Sequence, residues 1–363
     1  MAATAQRRGR RALTATAAAA AVTATGVLSV QPAAAEEPAP EAAQTCVMET
    51  LPIPEGLIAT QVSGMSDDGS VIAYYALPLD QTWPDGLGAY PRLYTDGQVT
   101  EVPMPGDHPR LHDVNSEGTA TGYTNIDGDD IPYVWRDGAL SQLPSPNGGQ
   151  AHGINEHGDI VGALGSYLQQ PVVWPADGSG PVDLPLPANA EWGMATGIGD
   201  DGTIVGYHSD GETGSKPYVW RPDGTAADLP MPEGVALADA HSVPLDLNGD
   251  WASGIIFAPG LENSGIRWNL AADTAEMTDL NYSVAVSAGG TVAGYLPGLP
   301  TAAFQTEDAI VELPGAVDAA YNPSRDEAVE ISGDGTLIAG DVFVGIDEAG
   351  LYYWNAVTWT CSR

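Results

Sequence analysis

Acids are so common in this 363-residue chain, 48 Asp and Glu in all, that some carboxylate pair must lie at a distance workable for glycoside cleavage. Acid pairs alone therefore discriminate nothing, and the rarer side chains carry the information. His112, His152 and His241, with Arg110 and Arg325, could meet polar groups of a ligand, while Trp83, Tyr90, Trp192 and Tyr321 could stack on a sugar or pack on a peptide. Asn125, Asp127, Asp129 and Asp130 in NIDGDD are spaced partly like a calcium loop, but Asp130 stands where glycine is expected and no glutamate follows at the twelfth position. Calcium is the one cofactor these residues suggest, against an Asp-rich turn chosen for its backbone geometry. There is no G-x-S-x-G elbow, no HExxH, no paired Cys-x-x-Cys and no glycine-rich nucleotide loop opening a helix.

What must position these side chains is a repeat. A small polar residue, two residues, glycine and a short apolar run recur as SDDGSVIAYY (66–75), NSEGTATGYT (115–124), NEHGDIVGAL (155–164), GDDGTIVGYH (199–208), NGDWASGII (248–256), SAGGTVAGYL (287–296) and SGDGTLIAGD (332–341). Each is followed by an aromatic at a strand end before a polar turn: Tyr94, Trp135, Trp174, Trp220, Trp268, Phe304 and Trp354. A phrase close to Leu-Pro then closes six of the seven units, at Val102, Leu143, Leu184, Leu229, Leu280 and Leu313. Units of roughly 40 residues with four short strands and dense Gly, Pro, Asn and Asp punctuation predict blades of a β-propeller. Runs such as TIVGY are apolar on both faces, as a sheet sandwiched between two others requires. Glycines at the ends of these runs, Gly122, Gly162, Gly206, Gly254, Gly294 and Gly340, mark expected close approach of adjacent blades.

The seventh unit ends before its closing strand, and a spare closing strand, TCVMETLPIPEG (45–56), precedes the first unit. The predicted fold is therefore an all-β, seven-bladed propeller of four-stranded blades over residues 45–363, its ring closed by the N-terminal strand in the last blade, which removes the sheet edges at the seam. The two cysteines, Cys46 and Cys361, lie in these two strands and are expected to pair.

The run Ile-Asn-x-x-Gly-x-Val-x-Gly, then aromatic-x-Trp, then Leu-Pro resembles the HAF-repeat extracellular proteins, a bacterial propeller-like family. GINEHGDIVGAL and DVNSEGTATGYT carry the likeness, with PYVW and TAAF where the family has His-Ala-Phe; the literal tripeptide is absent. The resemblance implies the fold and an extracellular address, and no particular chemistry.

Residues 1–35 read as a signal peptide, with four arginines, an alanine-rich apolar run and small residues at Ala33 and Ala35; residues 36–44 read as a disordered leader. No segment is long and apolar enough for a membrane span. The net charge of −36 repels phosphate backbones and anionic lipid, so nucleic acid and membrane insertion are not expected. A secreted monomer follows.

In a four-stranded meander the 1–2 and 3–4 turns share one face of the disc, and the 2–3 loops and blade connections share the other. Here the first set is short and uniform. The second varies in length and holds all the aromatic, histidine and arginine candidates above, so function is expected on this long-loop face. The leading reading is a binding scaffold for a carbohydrate or a protein or peptide. The alternative is an extracellular polysaccharide lyase or glycosidase using acids and histidines about the axis.

Overall fold

The computed structural model describes residues 45–78, 89–166, 168–261, 263–346, 350 and 352–362. Residues 1–44, and Trp83 with its loop, lie outside them.

The strands group into seven four-stranded antiparallel sheets. β1 (Cys46–Thr50) leads the chain. Blade one is β2 (Leu57–Met65), β3 (Val71–Pro78), β4 (Tyr90–Thr95) and β5 (Gln98–Glu101). Blade two is β6 (Asp107–Val114), β7 (Ala120–Ile126), β8 (Asp129–Arg136) and β9 (Ala139–Gln142). Blade three is β10 (Gly149–Ile154), β11 (Ile160–Leu164), β12 (Gln170–Trp174) and β13 (Val182–Asp183). Blade four is β14 (Trp192–Ile198), β15 (Ile204–Ser209), β16 (Lys216–Trp220) and β17 (Ala226–Asp228). Blade five is β18 (His241–Asn248), β19 (Trp251–Phe257), β20 (Ser264–Asn269) and β21 (Thr274–Met277). Blade six is β22 (Tyr282–Val286), β23 (Val292–Tyr295), β24 (Ala302–Gln305) and β25 (Ile310–Glu312). Blade seven is β26 (Glu327–Ile331), β27 (Leu337–Ile346) and β28 (Tyr352–Cys361), with β1 as its fourth strand. Cys46 pairs with Cys361 in register and is disulfide-bonded to it, 4.1 Å between Cα atoms. The ring thus closes as the spare strand predicts.

The repeated phrases have distinct jobs. The strand-three tryptophan reaches back to the preceding blade and donates its indole N–H to the proline carbonyl of that blade's Leu-Pro: Trp174 to Pro144 (3.0 Å), Trp220 to Pro185 (2.7 Å), Trp268 to Pro230 (2.9 Å) and Trp359 to Pro314 (2.8 Å). At the seam the Tyr74 hydroxyl does the same to Pro52 (3.0 Å). Each bond satisfies a polar group on an otherwise apolar interface. The strand-three aromatics are expected to fill the wedge between blades, and one of them is corrected while another fills it from the other side. In blade seven Trp359, not Trp354, fills the wedge, because β28 is ten residues long and pairs Trp359 with Ile338; Trp354 instead donates to Arg325 O. In blade six Phe304 pairs with Ala293 and packs on the opposite side, toward blade seven.

The strand-two glycines are also corrected. A Cβ at Gly122, Gly162, Gly206, Gly254, Gly294 or Gly340 would collide with a strand-one carbonyl oxygen of the same blade, such as Met194 O for Gly206. Those carbonyls lie one or two residues before a bulge that interrupts every strand 1–2 pairing. Close approach between blades occurs instead on strand one, where a Cβ at Gly64 would stand 2.9 Å from Asp113 Cα.

Candidate functional site

Strand one of every blade lines the axis, and its bulge organises what faces inward. The bulged residues are Ser63, His112, His152, Thr196, Leu245, Val284 and Val329; those immediately after them are Gly64, Asp113, Gly153, Gly197, Asp246, Ala285 and Glu330. Three blades thus present a carboxyl group at one level of the axis. Asp113 accepts from Val114 N and, in the next blade, Ile154 N, both at 2.8 Å. Asp246 accepts from Leu247 N (2.7 Å) and Val286 N of the next blade (2.8 Å). These two stitch neighbouring blades. Glu330 has no hydrogen-bond partner among the described residues and faces the open axis.

An axial cavity of about 580 Å³ runs from this level to the face carrying the 1–2 turns. Its lining includes Asp67, Asp113, Glu156, Asp200, Asp201, Asp246, Asp250 and Glu330, and no lysine or arginine. Burial raises the inner carboxyls: Asp246 to about 6, and Asp113 to about 8 despite its two backbone donors. Glu330 is raised well above the ordinary range by burial and then by repulsion from Asp246 and Asp113. At the mouth the turns bond to one another around the ring. Asn115 Nδ2 donates to Asn155 O (3.2 Å), Asn155 Nδ2 to Gly199 O (3.3 Å), Glu156 N to Asp200 (2.9 Å), and Asn248 Nδ2 crosses to Asp67 (2.5 Å).

The axis above the bulges, toward the long-loop face, has other chemistry. His112 stacks on Tyr123 (4.7 Å, 6°) and lies 5.2 Å from the His152 ring. Burial first, then the cationic forms of His152 and Arg110, hold His112 down at about 3; burial holds His152 at about 4. Both rings are therefore neutral at pH 7, and His112 Nε2 is buried without a partner. His152 meets Gln150, which donates to Asp130 (2.6 Å). The Arg110 guanidinium lies over Tyr75 (4.6 Å) and that of Arg325 over Tyr295 (4.5 Å).

Of the residues singled out in the sequence, His112, His152 and Asp130 therefore gather between blades two and three, and Arg110 lies on the neighbouring interface with blade one. Arg110, His112, His152, Trp192 and His241 lie on innermost strands, not on the connections where they were expected. Trp192 packs edge-on against Tyr207 of its own blade, and His241 packs on Phe257 of its own blade and accepts from Ser215 N of the preceding one. Tyr90 and Tyr321 are exposed, Tyr321 at 79%. NIDGDD is a two-residue hairpin turn with Asp127 and Gly128 at φ 57° and 95°. Asn125 accepts from Gly128 N and donates to Asp130, so an amide N–H points where a cation would sit. No group of three or more His, Cys, Asp or Glu among the described residues is arranged to hold a metal ion. The axial acids carry no ligand motif, and their one sequence signal is a place in the repeat: positions 113, 246 and 330 each stand two residues before the polar residue that opens a repeat phrase.

The long-loop face differs from the turn face in one further respect. Twelve large apolar residues are exposed among the described residues. Four lie on outermost strands: Val47, Val99, Val182 and Ile310. Of the other eight, Ile53, Leu168, Leu261, Leu299 and Tyr321 lie on 2–3 loops or blade connections, and Tyr90, Ile346 and Tyr352 are the strand-end residues that flank 2–3 loops. None is on a 1–2 or 3–4 turn. No helix among the described residues is long and apolar enough to cross a membrane.

No protein-family profile and no curated protein matches the chain. Its backbone is similar to that of an oligogalacturonate lyase from Vibrio parahaemolyticus, with a TM-score of 0.53 at 8% identity over 86% of this chain and 93% of that one. It is more distantly similar to a subtype N11 neuraminidase-like protein of a flat-faced bat H18N11 isolate, with a TM-score of 0.42 at 12% identity over 86% and 89%. At these identities the likeness concerns the propeller fold alone.

Proposed function

We propose that this protein is a secreted binding module that holds a protein or peptide partner against the long-loop face of its disc. The observation that carries this reading is the segregation of apolar side chains: eight of twelve lie on one face and none on the acidic turns of the other. Folding does not require leucine, isoleucine and tyrosine to be exposed on one face and not the other, and apolar surface concentrated on one face suits a contact surface. Arg110 and Arg325, each stacked on a tyrosine, offer donors on the same side. With a net charge of −36, a neutral or basic partner is favoured over an acidic one. The disulfide between Cys46 and Cys361 supports an oxidising, extracellular address.

The test is a peptide and glycan array probed with the mature protein, with a Leu168→Ser, Leu299→Ser, Tyr321→Ser variant and with a Val99→Ser, Val182→Ser control from the outer strands. All five positions are exposed, so folding is preserved. Peptide hits lost by the triple variant and kept by the control support the reading. Hits confined to glycans, or insensitive to the triple variant, overturn it.

A further inference from the structure

The axial cavity opens on the opposite face from the apolar loops and has the opposite chemistry. Its volume of about 580 Å³ is that of a small-molecule site. Eight carboxyl-bearing residues line it and no basic residue does. Solubility accounts for acids on the outer turns, but not for acids placed inward, where each carries a desolvation penalty. Asp113 and Asp246 have a structural reason to be there, since each accepts a backbone N–H from the next blade. Glu330 does not. It occupies the same position in blade seven, is partly buried with its accessible surface on the cavity wall, and makes no hydrogen bond with any described residue. A glycine or alanine fills this position in the other four blades, so the fold does not demand a long acidic side chain there.

We propose that the axial cavity is a binding site for a small organic cation, an alkylammonium or guanidinium compound, with Glu330 as its principal acceptor. The carboxyls are spread over the wall and over several levels, from Glu330 at the bulges to Asp67, Asp201 and Asp250 at the mouth. They do not converge as metal ligands among the described residues. An elongated cation bearing more than one N–H donor matches that spacing, and a compact metal ion does not. The site is independent of the partner on the long-loop face.

The probes are butane-1,4-diamine, agmatine, the neutral butane-1,4-diol and calcium chloride, titrated calorimetrically into the mature full-length protein at pH 7 and 8.5. The groups facing the ligand are the eight lining carboxyls and the neutral His112 and His152. The expected result is saturable binding of a diamine or of agmatine and none of the diol. The heat should depend on the buffer's ionisation enthalpy, because binding expels the protons that Glu330 and Asp113 hold. Glu330→Gln should weaken binding at least about tenfold, as loss of a charged acceptor implies, while Asp223→Asn on an outer turn should leave it unchanged. Glu330→Gln removes no protein hydrogen bond, so its folding is not in question. Binding of neither cation, equal binding of the diol, tighter binding of calcium than of either amine, or indifference to Glu330→Gln would each overturn the proposal.

Discussion

Glu330 also sets a stability balance that can be read without any ligand. Its raised ionisation means that the folded chain holds a proton that the unfolded chain has released once the pH passes the ordinary carboxylate value. Stability therefore falls as pH rises from that value toward the folded one. Asp113, at about 8, acts in the same sense. His112 and His152, held at about 3 and 4, act in the opposite sense, but only below the ordinary histidine value of 6.5. Between pH 7 and 8 the histidines are silent and the carboxyls alone destabilise the fold. Glu330→Gln keeps the shape and removes the charge, so its thermal midpoint should exceed that of the unsubstituted protein at pH 8. The difference should shrink toward zero by pH 4, where the folded and the unfolded chain both hold the Glu330 proton. A midpoint lower at both pH values would mean that Glu330 has a structural partner.

At the scale of the strand, the bulge shapes both the axis and the sequence pattern. Gly206 has an ordinary backbone conformation, yet a Cβ there would run into Met194 O, which is backbone and cannot yield. Gly206→Ala should cost about 2 kcal/mol or more as overpacking beside a fixed strand. Gly224→Ala, at a positive φ of 83° with nothing within 4 Å, should cost only about 1 kcal/mol. Chemical denaturation of both variants checks the order; equal losses would mean that the strands separate to accept a methyl group. The same bulge explains what could and could not be read from the residues. Turn chemistry is local: Asp96-Gly97 and Asp137-Gly138 sit at positive φ in hairpin turns, so the seven units and the missing strand were legible. Which of Trp354 and Trp359 fills the wedge depends on the β27–β28 register, and both aromatics precede the end of the chain in one long strand. The axial acids were harder still. One bulge in each of three blades, at distant chain positions, must converge through ring closure before Asp113, Asp246 and Glu330 become one feature.

At the scale of the whole molecule, everything on the axis depends on the seam between blades seven and one. The seam is held three ways. β1 pairs with β28 along five residues; Asp341 accepts from Val62 N (2.8 Å) and Thr60 Oγ1 from Ala356 N (2.8 Å); and the Cys46–Cys361 disulfide closes a loop of 315 residues. The first two act in the folded state. On the chain-entropy account the third acts mainly on the unfolded chain, by about 5–6 kcal/mol at most for a loop of this length. These contributions can be separated. A Cys46→Ser, Cys361→Ser variant keeps the strand pairing and the buried seam bonds, so its folded ring, and ligand binding by either face, should be unchanged. Its urea midpoint should fall while its denaturant slope rises, because the uncrosslinked chain exposes more surface when unfolded. Deleting residues 45–50 removes the strand itself and should instead open the sheet edge of β28 and promote association between chains. If the double serine variant lost the ring as well, with β28 amides exchanging rapidly in native buffer, backbone pairing would not suffice to close the disc, and the disulfide would be a condition of the folded state.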